Sequence, residues 1–180
     1  MKMKVLVVID MQHDFVDGVL GSPEARAIVP AVARKVAEYV TMEEGVILYT
    51  RDTHFDNYME TLEGKYLPVP HCIANTKGWQ IVPDVFTTDS EVVDKYTFGC
   101  YSLPDEIWSA CGMKYNKFDI DSIEFCGVCT DICVVSNVMI TKAVFRDIPI
   151  IVNSKCCAGV SPAKHEAALE VMRSCQVEVL

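Results

Sequence analysis

The chain has 180 residues, 51% of them hydrophobic, and a formal net charge of −9, a length that suits one domain over 1–180 with one sizeable core. So negative a chain repels a polyanionic backbone or an anionic membrane surface, which excludes nucleic acid and acidic lipid as partners. No stretch approaches the roughly 18 to 20 apolar residues that a spanning helix needs.

Residues 5–9, Val-Leu-Val-Val-Ile, form the first apolar run and end at Asp10. The run is too short for the core of a secretory leader and has no small-residue cleavage site after it, so it reads as a buried strand over 4–9. Helical periodicity follows over 24–43, then a strand over 46–50. The segment 52–88 is dense in polar and Pro residues and long for a connector, which marks it as a functional excursion. Further strands are expected over 91–94, 122–127, 148–153 and 177–180, and helices over 104–111, 130–145 and 162–174. The last helix opens with Ser161 as N-cap and Pro162 at the first helical position. Six Val- and Ile-rich strands alternating with four helices indicate an α/β fold around a parallel sheet.

Nine cysteines occur, at positions 72, 100, 111, 126, 129, 133, 156, 157 and 175. The odd count and the lack of an export signal favour free thiols in a reducing cytoplasm. Most lie in apolar segments, as Cys126 and Cys175 do, where a thiol packs as a small hydrophobic side chain.

In open parallel sheets chemistry gathers beyond the carboxyl ends of the strands. Asp10 falls there after the first strand, Asp52 and His54 after the second, Lys95 after the third, and Cys129 to Cys133 after the fourth. A thiol in the first turn of a helix is favoured as thiolate by unpaired N–H groups and the helix dipole. That physics leaves Cys129 and Cys133 both as candidate nucleophiles. The turn 127–131 can aim N–H groups at one point, as a tetrahedral oxyanion requires. Asp10 is suited to take the thiol proton, with Lys95 holding Asp10 ionised and stabilising the thiolate. Asp52, His54 and His71 together offer carboxylate and imidazole ligands of the kind zinc or another first-row divalent ion takes.

These residues carry a family resemblance. Through Val8-Ile9-Asp10-Met11-Gln12-His13-Asp14-Phe15, Thr50-Arg51-Asp52-Thr53-His54, Pro70-His71-Cys72, Lys95 and Gly127-Val128-Cys129-Thr130-Asp131-Ile132-Cys133-Val134, nearly the whole chain resembles the isochorismatase-like cysteine hydrolases, in their nicotinamidase-like branch. The resemblance implies a Rossmann-like three-layer α/β/α sandwich with a six-stranded parallel sheet, and a catalytic triad of Asp10, Lys95 and Cys133. It selects Cys133 as nucleophile, because Cys129 matches a position where the family often has Ala. It further implies a cis peptide between Val128 and Cys129 and an oxyanion hole made by the N–H groups of Cys129 and Cys133. The reaction implied is hydrolysis of a small amide through a thioester, with nicotinamide the first candidate. A divalent metal, zinc first, is implied on Asp52, His54, His71 and a fourth ligand, Glu63 ahead of Glu60, where it holds the substrate's ring nitrogen.

Phe15 matches a pocket aromatic of the family. One departure bears on the substrate: Leu67-Pro68-Val69-Pro70 stands where nicotinamidases commonly carry a stacking Trp. Relatives assemble as homo-oligomers, which is the expectation here too. Competing readings are a metal-free hydrolase of another small amide or carbamoyl compound, a structural metal or redox dithiol module, and a non-catalytic oligomerising domain. The spacing Cys129-x-x-x-Cys133 differs from the usual CxxC pairs of the module reading.

Overall fold

The computed structural model describes residues 2–112 and 119–180. Strand β1, Met3–Ile9, is the centre of the sheet, with Val5 to Ile9 wholly buried. It pairs in parallel with β2, Gly45–Asp52, on one side and β4, Ile120–Val128, on the other. A run of Val, Leu and Ile is what a strand covered on both faces requires. With β3, Glu91–Lys95, β5, Ile150–Ala158, and β6, Glu178–Val179, the order is β3-β2-β1-β4-β5-β6, every pairing parallel.

The short helix α1, His13–Val16, precedes α2, Pro23–Val40, which is capped by the Ser22 hydroxyl accepting from Ala25 N–H at 3.0 Å. Helix α2 buries Ala25, Ile28, Val32, Val36 and Tyr39 against β1, β2, β4 and β5. That stripe ends at Tyr39, and the helix stops at Val40 instead of reaching 43. Helices α3, Leu62–Tyr66, and α4, Leu103–Ala110, come next; α5, Val135–Val144, and α6, Pro162–Ser174, complete the set. Helix α4 packs on α5 and α5 on α6. Right-handed crossovers in this strand order place that row on the face opposite α2, giving the three layers expected. Helix α6 has the expected bounds, with the Ser161 hydroxyl accepting from Lys164 N–H. No helix among the described residues is long and apolar enough to cross a membrane.

Two further expectations are corrected. The helix over 130–145 is two pieces, a π-helical turn at Thr130–Val134 and then α5. Strand β5 runs five residues past 153, because Cys156, Cys157 and Ala158 are buried beside β4, where Gly127 faces Cys157 and Val128 faces Ala158. The polar Ser154-Lys155 pair hides this continuation, which follows a register shift in the ladder.

Gly127 has φ +116, and a Cβ there would strike the Ile9 carbonyl oxygen on the neighbouring strand. Gly127→Ala is therefore expected to destabilise the protein by at least about 3 kcal/mol, from backbone strain and collision together. Equilibrium urea unfolding against the parent chain measures it.

Candidate active site

Four parallel strands end side by side and deliver their next residues to one place. Asp10 follows β1 in a left-handed conformation, φ 49, and is wholly buried. Its Oδ1 accepts from the Thr50 hydroxyl at 2.6 Å, while the same hydroxyl accepts from Asp10 N–H at 3.2 Å. Lys95, the last residue of β3, lies in register with Asp52, the last of β2. Its ammonium is 2.7 Å from Asp10 Oδ2 and 3.2 Å from Asp52 Oδ1, donates to the Thr97 carbonyl at 3.2 Å, and is 3.6 Å from Cys133 Sγ. Three protons thus face four acceptors, so Lys95 locks β1, β2, β3 and the turn after β4 together.

The peptide between Val128 and Cys129 is cis, as the resemblance implies. Cys133 sits in the following π-helical turn, whose shape is held by Val134 N–H donating to the Cys129 carbonyl at 3.0 Å. Asn137 on α5 donates to the Cys133 carbonyl at 2.8 Å and to the Phe98 carbonyl at 3.0 Å. Thr130 and His165 meet at 2.8 Å, and Asp131 accepts from Val160 N–H at 2.8 Å, tying the turn to the start of α6.

Burial pushes the Cys133 thiol well above its ordinary value, and the Asp10 charge adds to this more than Lys95 relieves it. Burial thus opposes the thiolate that a helix terminus, read from sequence, favours. Asp10 is itself raised, by burial first, against the opposing pull of Lys95. Burial works to discharge Lys95, but Asp10, Cys133 and Asp52 hold it a cation. Cys129 is pushed up to about 12 by burial and the Asp131 charge. Geometry separates the two thiols: it is the Cys133 Sγ that lies 3.6 Å from the Lys95 ammonium. All nine cysteines carry free thiols.

Beside this group lie Asp52, His54, Glu63 and His71, with one ligand atom from each all within 4.8 Å of one another. Asp52 Oδ2 is 3.0 Å from His54 Nε2 and 3.6 Å from His71 Nε2; Glu63 Oε1 is 3.6 Å and 3.9 Å from the same two nitrogens. Ligand atoms 3.0–3.9 Å apart can converge on one ion at bond lengths of about 2.0–2.2 Å, so this N2O2 set fits a divalent ion. His71 Nδ1 is fixed by the Val69 carbonyl at 2.8 Å, which turns Nε2 inward. Glu63, at the start of α3, is the carboxylate brought to the set; Glu60 is exposed. Burial opposes ionisation of Asp52, yet hydrogen bonds from His54 and His71 and the Lys95 charge hold its carboxyl below the usual range. His71 is raised despite burial, through its hydrogen bond to Asp52.

A cavity of about 330 Å³ opens over Cys133, lined by Phe15, Asp52, Glu63, His71, Phe98 and Cys129 among others. Phe15 packs edge-on against His71 at 5.5 Å. Leu67, in the segment 67–70 where the resemblance leads one to expect a stacking Trp, lines the cavity. Several supports were not singled out from sequence. Gln12 clamps Asp52, accepting from its N–H at 2.7 Å and donating to its carbonyl at 2.9 Å. Tyr58 lays its ring edge on His54 and His71 at 4.7 and 5.1 Å. Asp14 accepts from Cys72 N–H at 2.7 Å and so holds the His71 loop. Gln12 and Asp14 stand in the motif after β1; Tyr58 carries no local signal.

The profile of the isochorismatase domain family matches residues 4–180. A nicotinamidase/pyrazinamidase of Mycobacterium tuberculosis is 29% identical over 188 aligned positions, covering 99% of this chain and 98% of that protein. The crystal structure of the pyrazinamidase of Pyrococcus horikoshii in complex with zinc superposes with a TM-score of 0.80 at 25% identity, covering 98% of both chains. That of the pyrazinamidase/nicotinamidase of Streptococcus mutans gives 0.82 at 22% identity over 98% of this chain and 99% of that one.

Proposed function

This chain belongs to the isochorismatase domain family and is an amide-hydrolysing enzyme; we propose that it cleaves a small carboxamide, nicotinamide first, through a thioester on Cys133. The observation carrying this is Lys95, whose one ammonium reaches Asp10, Asp52 and Cys133 at the floor of the cavity. Asp10 takes the thiol proton as Cys133 Sγ attacks the carbonyl carbon, so charge is moved to sulfur only when substrate is present. The N–H groups of Cys129 and Cys133 hold the resulting oxyanion. Collapse of the tetrahedral species breaks the C–N bond, and the proton on Asp10 leaves with ammonia. Water then gives a proton to Asp10 and attacks the thioester; the acid departs and the thiolate recovers that proton. Lys95 stays a cation throughout and keeps Asp10 ionised between proton transfers.

Asp52, His54, Glu63 and His71 would hold a divalent ion, zinc first, which when bound supplies a Lewis-acidic point for the substrate's ring nitrogen. Phe15 covers the ring. The zinc-bound pyrazinamidase neighbour and the names of the relatives support this reading.

Ammonia release from nicotinamide tests it. Wild type is expected to turn the amide over, and chelation followed by zinc should remove and restore at least about tenfold in kcat/KM. His71→Ala is expected to raise KM more than it lowers kcat, since it loosens a substrate anchor and leaves Cys133, Asp10 and Lys95 in place. Unaltered kcat/KM in metal-free enzyme would make the four-residue set structural.

A further inference from the structure

Next to the catalytic cavity lies a second one of about 650 Å³, walled by Leu62, Tyr66, Tyr96 and Phe98. Glu63, Leu67, Phe98 and Ile132 line both cavities, so these side chains form the wall the two share. At about 330 Å³ the first is at the small end of ligand sites. The second is faced by large apolar groups left in water: Leu62 is 70% exposed, Tyr66 84% and Tyr96 65%. Contiguous apolar surface beside a pocket marks a place that a ligand covers. The surface is also partly fixed, because Tyr96 stacks on Phe55 with centroids 6.0 Å apart and planes at 22°.

We propose that this second cavity is a subsite for an apolar or aromatic extension on the acyl part of the substrate, so that the enzyme takes ring carboxamides larger than a single ring. The inference rests on the reading of Cys133 as an amidase nucleophile for its catalytic part. The amide carbonyl lies over Cys133, the ring by Phe15 and His71, and the extension passes Leu67 and Phe98 to lie on Tyr96 and Tyr66. Leu67 is the gate, because its side chain stands between the two cavities and lines both.

The test compares nicotinamide with 5-phenylnicotinamide, using zinc-supplied enzyme and ammonia release. Wild type is expected to show a KM about tenfold lower for the phenyl compound, from burial of the added ring. Leu67→Trp should cut that preference at least about fivefold by filling the gate, and Tyr66→Ala, on exposed surface where folding is not at stake, should cut it about threefold. A wild-type preference absent, or one insensitive to both substitutions, overturns the proposal. Calorimetric binding to Cys133→Ala separates this from the chemistry. If wild type hydrolyses neither amide but Cys133→Ala binds the phenyl compound more tightly, and Leu67→Trp removes that preference, the subsite stands and the amidase reading falls. Equal binding of both compounds removes the subsite whatever the turnover.

Discussion

Cys133→Ala is expected to lower kcat for nicotinamide by about 10⁵- to 10⁶-fold, to near the rate left by binding and oxyanion contacts alone. The size follows from the arrangement: among the described residues the sulfur beside Lys95 is that of Cys133, 3.6 Å away, so Asp10 and Lys95 serve this nucleophile. Cys129→Ala is the matched control, since only its backbone N–H is used, and kcat should change by less than about threefold. Both variants should fold, a thiol-to-methyl change being small in volume. Steady-state ammonia release on freshly folded protein, with thermal unfolding checked in parallel, separates a chemical loss from a structural one.

Lys95→Met is expected to cost both activity and stability. Lys95 is the cation within reach of Asp10, Asp52 and the Cys133 thiol, and all four groups are buried. Removing one partner of a buried ionic network leaves uncompensated charge, at a typical cost of about 3–5 kcal/mol. Asp10, already raised by burial, loses its main opposing influence and rises further. A carboxyl whose folded pKa lies above its unfolded value binds more protons when folded, so its contribution is present at low pH and lost as pH rises through the folded value. The variant should therefore unfold more easily at pH 8 than at pH 5, by a wider margin than wild type does. Its kcat should fall at neutral pH, because a protonated Asp10 cannot accept the thiol proton. Urea midpoints at the two pH values and a kcat–pH profile check both halves; a midpoint difference equal to wild type's would remove Asp10 from the account.

How much of this was legible in the sequence depended on whether the controlling signal was local. Strand β1 announces itself through a Val- and Ile-rich run buried on both faces, and α6 through Ser161-Pro162, where capping chemistry sits in adjacent residues. The placement of Asp10, Asp52, Lys95 and Cys133 follows from strand ends, because a parallel sheet gathers what comes just after its strands. What escaped lies in contacts made across the fold. The continuation of β5 to Ala158 depends on pairing with β4 after a register shift, which Ser154-Lys155 does not advertise. Gln12 reaches 40 positions along the chain to clamp Asp52, and Tyr58 packs under the two imidazoles from an otherwise irregular segment. The sign of the Cys133 shift also needed three dimensions: a helix terminus and a burial penalty compete, and only the depth of the site shows that burial wins. The second cavity is of the same kind, made by side chains from β3's end and α3 that share no motif.

The most direct measurement is rapid acid quench of wild-type enzyme during turnover of nicotinamide, followed by intact-protein and peptide mass spectrometry. A thioester mechanism predicts a mass gain of one nicotinoyl group in place of one hydrogen, located on Cys133 and absent from Cys133→Ala. Acylation found on Cys129, or undiminished turnover by Cys133→Ala with no adduct on wild type, would contradict the assignment of Cys133 as nucleophile.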